Sequence, residues 1–473
     1  MRRTKIVATL GPASDKPEIV RRLIAEGVDV FRLNASHGTM AEHLDRIALV
    51  RRLAAETQRH LGILLDLQGP KIRLGRFEGG SAYLEEGAEF TITTREMIGS
   101  RSAASTVYEA FARDVKPGDP VLLADGMLEL KVLSSDGVEA RTVVVRGGVI
   151  SDRKGINLPG VALSTPALTE KDQRDLEAGL RAGVDFVALS FVRKAEDVDP
   201  VYGIMQRLGI QAPVVAKIEK PEALDNIDAI IDRVDGIMVA RGDLGVEVAL
   251  ERVPTIQKDL IRRARHAGRF VITATQMLES MVENATPTRA EVSDVANAIF
   301  DGTDAVMLSA ETSAGKYPVE AVRMMARVAE QADAATRTGQ VNADLIPSLP
   351  ASGQLVAAAA RSAALQWPAK AIVVFTTGGL SARLISRLRP TTPCYAVTPF
   401  AEVARRLAIR YALEPFQAPE VGSTDEMLTL VDDHLEKRTP LEPGDRVVFL
   451  AGQPVGRAGT LNLMKLHVIG EVR

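Results

Sequence analysis

The sequence predicts an α/β chain: a (β/α)8 barrel, an all-β lid domain inserted after its third strand, and a C-terminal open-sheet α/β domain. Three observations predict it. Short β-rich runs alternate with amphipathic stretches, and eight such runs can be counted before residue 313. One strand–helix connection is replaced by a long series of short alternating strands. After a polar, Pro- and Gly-bearing linker at 337–353, a fresh strand–helix pattern begins. A chain of 473 residues is also too long for one core, and at about 150 residues per domain it suggests three.

In chain order the strands are expected at 4–10, 28–36, 61–67, 184–192, 212–219, 234–241, 269–276 and 304–312. Helical patterns fall between most of them, for example at 17–26, 41–57, 170–182 and 289–299. The strands are apolar on both faces, as parallel strands covered by helices are, and eight such units close into a TIM barrel. The repeated "GVDVF", "GVDFV", "RVDGIM" and "GTDAVM" each mark a helix end and a tight turn into a strand, a structural repeat rather than a functional one. After "LLDLQGP" no helix follows; the expected lid spans 71–164 and interrupts a barrel made of 1–70 and 165–338. The third domain is expected at 352–473, beginning with the helix "QLVAAAARSAALQ" and ending with the strands "DRVVFLAG" and "LMKLHVIG".

Composition narrows the function. Lys+Arg is 58 and Asp+Glu is 61, a net charge of −3, which argues against general nucleic-acid binding but not against a local anion site. The one cysteine, Cys394, forbids an intrachain disulfide and a thiolate metal cluster and fits a reducing, cytoplasmic setting. The apolar run in "MRRTKIVATL" is short and ends at Gly11-Pro12, so it is expected to be a strand and not a signal or membrane segment.

In a barrel, chemistry gathers at the C-terminal strand ends. The polar residues there are Arg32, Asn34, Ser36 and His37 after strand two, and Asp66, Lys71 and Arg73 after strand three. Lys217 and Glu219 end strand five, Arg241 and Asp243 strand six, Thr275 and Gln276 strand seven, and Ser309 and Glu311 strand eight. Two carboxylates suit a hard divalent cation and several cations suit phosphate, the parts of phosphoryl transfer. Each group also has a plainer reading. "AKIEK" could be half of a solvated charge pattern, although Lys217 and Glu219 share strand parity and so one direction. "RGDLGVEV" could be a simple turn, and Ser36 or Thr39 in "RLNASHGT" could merely cap a helix.

Together these stretches resemble the pyruvate kinase family. "KIVATLGPAS", "VDVFRLNASHG", "LLDLQGPKIR", "KGINLPG", "ALSFVR", "AKIE", "VARGDLGVEV", "TATQMLESM" and "PTRAEVSDVANAIFDGTDAVMLSAETSAGKYPVEAV" occur in family order over about 4–323. The resemblance implies phosphoryl transfer from phosphoenolpyruvate to ADP, giving pyruvate and ATP in a cytoplasmic homotetramer. It implies Mg2+ or Mn2+ on Glu219 and Asp243, and Lys217 on the transferring phosphoryl group. Arg32 would hold phosphate, and Gly242, Asp243 and Thr275 the substrate carboxylate. Arg73 and Lys154, with Asn34 and His37 nearby, would contact the nucleotide phosphates. Thr275, Ser309 and Glu311 are candidates for a proton relay to the enolate.

Two further expectations follow from the resemblance. The monovalent-cation ligands of the family match Asn34, Ser36, Asp66 and the backbone at Leu67. Potassium-dependent members read Thr-Lys-Gly-Pro-Glu after the aspartate, whereas this chain reads Leu67-Gln68-Gly69-Pro70-Lys71. That pattern resembles the potassium-independent branch, with Lys71 in place of the ion and Asp66 as the anion it answers. Like charges about 5 Å apart repel by roughly 3 kcal/mol at an effective dielectric of 20, so Lys71 and potassium would be poor neighbours. In the C-terminal domain, the turn with Thr376, Thr377, Gly378, Gly379 and Ser381, together with Arg457, resembles an activator site for a sugar phosphate or AMP. Barrel lyases that use phosphoenolpyruvate, and a non-catalytic metabolite-binding relative, are the competing classes.

Overall fold

A computed structural model describes residues 2–161, 163–336, 345–435, 439–457 and 459–471. Its first half is a closed parallel barrel. The strands are Lys5–Thr9, Val30–Asn34, Gly62–Asp66, Phe186–Leu189, Val214–Ile218, Gly236–Ala240, Phe270–Ala274 and Ala305–Leu308. Each pairs with its neighbour in sequence order, and the eighth closes on the first. Alternation divides every strand. Val7, Val30, Leu64, Phe186, Val215, Met238, Phe270 and Ala305 fill the interior, while their neighbours Ile6, Phe31, Leu65, Val187, Ala216 and Ile237 pack under the helices.

The repeated aspartates have a shared task at the barrel floor. Asp29, Asp185, Asp235 and Asp304 each accept the backbone N–H that opens a neighbouring strand, at Ile6, Ile63, Val214 and Val271, over 2.9–3.1 Å. This satisfies buried donors where each helix turns back into the sheet.

Between the third and fourth barrel strands lies a β-rich unit. Its larger sheet runs Ile156–Asn157, Pro120–Leu123, Leu128–Ser135, Glu139–Arg146, Glu89–Thr93 and Ala103–Ser105 in spatial order, with Ser81–Leu84 and Gly148–Ser151 paired separately. A turn of α-helix, Phe111–Asp114, and a 3-10 turn at Glu78–Gly80 depart from the all-β expectation; Phe111 and Ala112 are buried. The chain leaves and returns side by side. Arg73 bridges Gly155, Ile156 N–H donates to Ile72 at 3.0 Å, and Leu74 N–H donates to Lys154 at 2.9 Å.

The C-terminal unit is a five-stranded sheet in the order Leu413–Gln417, Cys394–Thr398, Ala371–Phe375, Arg446–Ala451 and Leu463–Val468, the last antiparallel. Its first helix, Ala351–Gln366, begins three residues before the expected Gln354. Buried Gly353 lets that extra turn approach closely, since a Cβ there would sit 3.0 Å from Leu384. Of the expected linker, 337–344 lie outside the described residues. The unit sits under the barrel floor. Ile409 is fully buried among the interior barrel residues, Arg405 reaches Asp185 at 2.8 Å, and Lys5 Nζ donates to Leu413 O at 2.5 Å.

Candidate active site

The interior parity that buries Val215 lower in strand five also carries Lys217 and Glu219 to the barrel mouth. There Lys217 Nζ lies 2.9 Å from Glu219, 3.3 Å from Asp66 and 2.8 Å from Ser190 Oγ. Arg32, on the same parity in strand two, sends Nε to Asp66 at 2.7 Å and Nη1 to Thr9 Oγ at 3.1 Å. Asp66 and Glu219 are 1% exposed and Lys217 and Arg32 under 10%, so two carboxylates and two cations share one desolvated cluster.

The electrostatics follow from that enclosure. Burial alone would lower the Lys217 pKa, but Asp66 and Glu219 outweigh it and hold the ammonium raised. Burial alone would raise Asp66, and Lys217 with Arg32 brings it below its ordinary value. Glu219 stays raised, by burial first and by the nearby Asp243 charge, despite Lys217. A buried carboxylate kept unfavourable by a second carboxylate is the donor chemistry a hard divalent cation relieves. Glu219 and Asp243 therefore fit such an ion as two ligands, with its other positions left to water and substrate. The described residues hold no cluster of three or more His, Cys, Asp or Glu side chains suited to a metal.

Asp243 and Gly242 lie in the short helix Arg241–Glu247 that follows strand six. Gly242 N–H donates to Thr275 Oγ at 2.8 Å. Thr275 and Gln276 have φ of 68° and 52°, a left-handed backbone that a β-branched residue adopts only when its surroundings impose it. The imposing group is Arg241, which holds Thr275 O at 2.8 Å and Asp294 at 2.7 Å.

Several expected partners are arranged differently. Asp66 answers Arg32 and Lys217, not Lys71; no ion pair joins Asp66 to Lys71. The Lys71 stem instead runs beside Gly155 on the return strand of the lid, because the turn at Gly69 (φ 67°) carries the chain away from the strand axis. A Cβ at Gly69 would meet Phe191 at 2.8 Å. The Leu67 carbonyl accepts from Ser190 Oγ at 2.7 Å, and Asn34 Oδ1 accepts from Ser36 N–H at 3.1 Å. Helix 40–56 is capped by Thr39 with Glu42, not by Ser36. Glu311 is fully buried and accepts from Ser309 and Leu278 N–H at 2.7 and 3.1 Å, so it ties together the backbone that follows strands seven and eight. Ser309 Oγ is buried without a partner among the described residues.

At the outer lip, His37 has its pKa lowered by partial desolvation and by Arg73, Lys71 and Arg32. Those three cations thus act on one locus facing the lid. Arg73 donates to Arg153 O at 3.0 Å, and Lys154 stands exposed on the same lid edge. Sequence reasoning passed over Ser190, Thr9 and the Phe191 N–H, which donates to Glu219 at 2.9 Å. Ser190 shares the interior parity of Phe186 and Ala188, a signal that was present.

Comparison with known proteins decides the family. The description "Pyruvate kinase, barrel domain" matches residues 1–322, and "Pyruvate kinase, alpha/beta domain" matches 354–467. The chain belongs to the pyruvate kinase family. Pyruvate kinase of Mycobacterium tuberculosis (strain ATCC 25618 / H37Rv) is 47% identical over 471 residues, covering 99% of both chains. That of Corynebacterium glutamicum is 46% identical, covering 99% of this chain and 98% of its own. A crystal structure of a pyruvate kinase from Cryptosporidium parvum superposes with a TM-score of 0.92 at 36% identity, over 99% of this chain and 96% of the other. Pyruvate kinase membership makes the chain a phosphotransferase. No helix among the described residues is long and apolar enough to cross a membrane.

In the C-terminal unit, Thr376, Thr377, Gly378, Ser381 and Arg457 line one cavity. Gly379 (φ 85°) turns the chain into helix Leu380–Arg387 and donates its N–H to Thr376 Oγ at 2.9 Å. The structure brings the two expected segments of this loop site together.

Proposed function

We propose that the chain transfers the phosphoryl group of phosphoenolpyruvate to ADP, with a divalent metal and without potassium. The carrying observation is Lys217, desolvated between Asp66 and Glu219 with Arg32 alongside. Arg32 and Lys217 orient the transferring phosphoryl group and offset charge on its oxygens in a site already drained of water. Glu219 and Asp243 would hold Mg2+ or Mn2+, which supplies charge neutralisation for the phosphoryl oxygens when bound. Thr275 and the Gly242 N–H, one hydrogen bond apart, receive the substrate carboxylate. The segment 71–164 acts as a lid, bringing Lys154 and Arg73 over the nucleotide phosphates beside Asn34 and His37. Protonation of the enolate draws on Thr275 and on Ser309, whose hydroxyl has no partner among the described residues.

Lys71 supplies the charge that a monovalent ion gives other members of the family. Its field reaches His37 on the nucleotide side, which supports a role there rather than on Asp66. The cavity at Thr376–Ser381 and Arg457 takes a phosphorylated activator, a sugar phosphate or AMP, and the enzyme works in the cytoplasm as a homotetramer.

Two measurements test this reading. Formation of ATP from phosphoenolpyruvate and ADP should require a divalent cation and fall by about 100-fold or more in Lys217→Met, a loss near 3 kcal/mol. Near wild-type turnover in that variant refutes the assignment. Replacing tetramethylammonium by potassium should change the wild-type rate little and should activate Lys71→Glu; strong wild-type activation refutes the role given to Lys71.

A further inference from the structure

A second cavity, of about 290 Å³, lies between the barrel floor and the C-terminal unit, at the opposite end from the catalytic mouth. Its walls carry three guanidiniums, Arg383, Arg406 and Arg410, and one carboxylate, Asp235. That carboxylate is already committed to the Val214 N–H at 3.1 Å, and it forms no ion pair among the described residues.

The three arginines are poorly satisfied. Arg383 has no hydrogen-bond or ion-pair partner among the described residues, and its Nε is buried. Arg406 gives Nη2 to Gln211 O at 2.5 Å while its buried Nε has no partner. Arg410 is 8% exposed. Its one side-chain hydrogen bond among the described residues, to Gly268 O, is a long 3.4 Å, and its guanidinium lies 4.8 Å from the centre of the Phe270 ring. Burial, then the Arg383 charge, pushes the Arg410 pKa down to about 9 despite Asp304 and Asp235.

Arginines that only clamp the two units together look different at this same interface. Arg405 meets Asp185 with a charge-assisted hydrogen bond at 2.8 Å. Uncompensated buried cations are costly, and several guanidinium forks converging on one hollow suit an incoming oxyanion. The volume exceeds a bare phosphate and is close to the lower end of small-metabolite sites, about 300 Å³.

We infer that this cavity is a second anion site, taking a small phosphate monoester at the junction of barrel floor and C-terminal unit. It stands apart from the Thr376–Ser381 loop reading and does not depend on it. The two cavities are nevertheless back to back: Gly378 lines both, and helix Leu380–Arg387 gives Ser381 to one and Arg383 to the other. A ligand on Arg383 therefore sets the start of the helix that frames the other pocket.

The test uses the full chain. Tungstate, a phosphate analogue visible by anomalous scattering, is diffused into crystals of wild type and Arg383→Gln. A peak among Arg383, Arg406 and Arg410, lost in the variant, is expected; a peak only at the loop pocket or the catalytic mouth overturns the proposal. Melting curves in phosphate and in chloride at equal ionic strength then separate a site from a clamp. Arg383→Gln and, independently, Arg406→Gln should keep or raise the melting temperature in chloride. Each should raise the half-saturating phosphate concentration about tenfold or more, as losing a charge-assisted hydrogen bond does. Equal losses of stability in both salts would show a structural clamp and overturn the proposal. A hexose monophosphate and a nucleoside monophosphate, titrated in parallel, distinguish the two sources of the phosphate.

Discussion

Ser190 helps set where the Lys217 ammonium points, because among the described residues its hydroxyl is the one neutral group within hydrogen-bond distance of it, at 2.8 Å. Ser190→Ala should lower kcat about tenfold, the worth of one hydrogen bond to a charge. The Michaelis constant for phosphoenolpyruvate should change much less, as steady-state rates will show. A second residue-scale expectation concerns acid stability. Burial would raise the Asp29 pKa, but Arg2, Lys5, the Ile6 N–H and Arg59 together hold it below the ordinary 3.8. A lowered folded pKa means that the contribution is full above the unfolded value near 3.9 and is lost as pH falls through the folded one. Asp29→Asn should weaken the protein at neutral pH and flatten its decline below about pH 4, read by urea unfolding across pH. At this scale the sequence revealed Lys217 and Glu219 through parity, since i and i+2 on a strand share a face whatever the tertiary context. It did not reveal that Asp66 would pair with Arg32 and Lys217. That pairing joins residues on three strands, and Lys71, adjacent in sequence, is turned away at Gly69.

Among elements, the lid edge and the helix after strand six are joined by a buried polar triad. Lys220 Nζ lies 2.6 Å from Glu247, and Asn157 Nδ2 donates to the same oxygen at 3.1 Å. Both charged side chains are at most 5% exposed. Glu247→Gln strands the ammonium and should cost about 3 kcal/mol by thermal unfolding. Asn157→Leu breaks only the lid contact and should cost about 1 kcal/mol, while exposing the lid hinge to limited proteolysis. The elements themselves were legible because period-two and helical patterns are local. Strand order in the barrel followed from the repeat, and the lid from the absence of a helix after strand three. The triad was not legible: Asn157, Lys220 and Glu247 carry no spacing signal and meet only once the lid has folded over the barrel.

Across the whole molecule, the C-terminal unit closes the barrel from below with Ile409, which is fully buried among interior strand residues. Ile409→Ala should destabilise the protein by about 3 kcal/mol through the cavity left behind. Amide exchange should rise first at the strand starts near Val7 and Val30, with the catalytic mouth spared. That separation puts the two proposed anion sites and the chemistry at three distinct places on one scaffold. The paired exit and return of the lid bears on how such a chain assembles. Strands three and four are neighbours in the barrel, Leu65 beside Val187, yet a whole folded unit intervenes in sequence. If the lid forms first, the Arg73–Gly155 bridge shortens the chain to be closed from roughly 120 residues to about 40, sparing the barrel about 1 kcal/mol of loop entropy. The lid would then be a folding nucleus for the barrel as well as its cover. Substitutions that loosen its β-core should slow refolding of the barrel more than they hasten its unfolding.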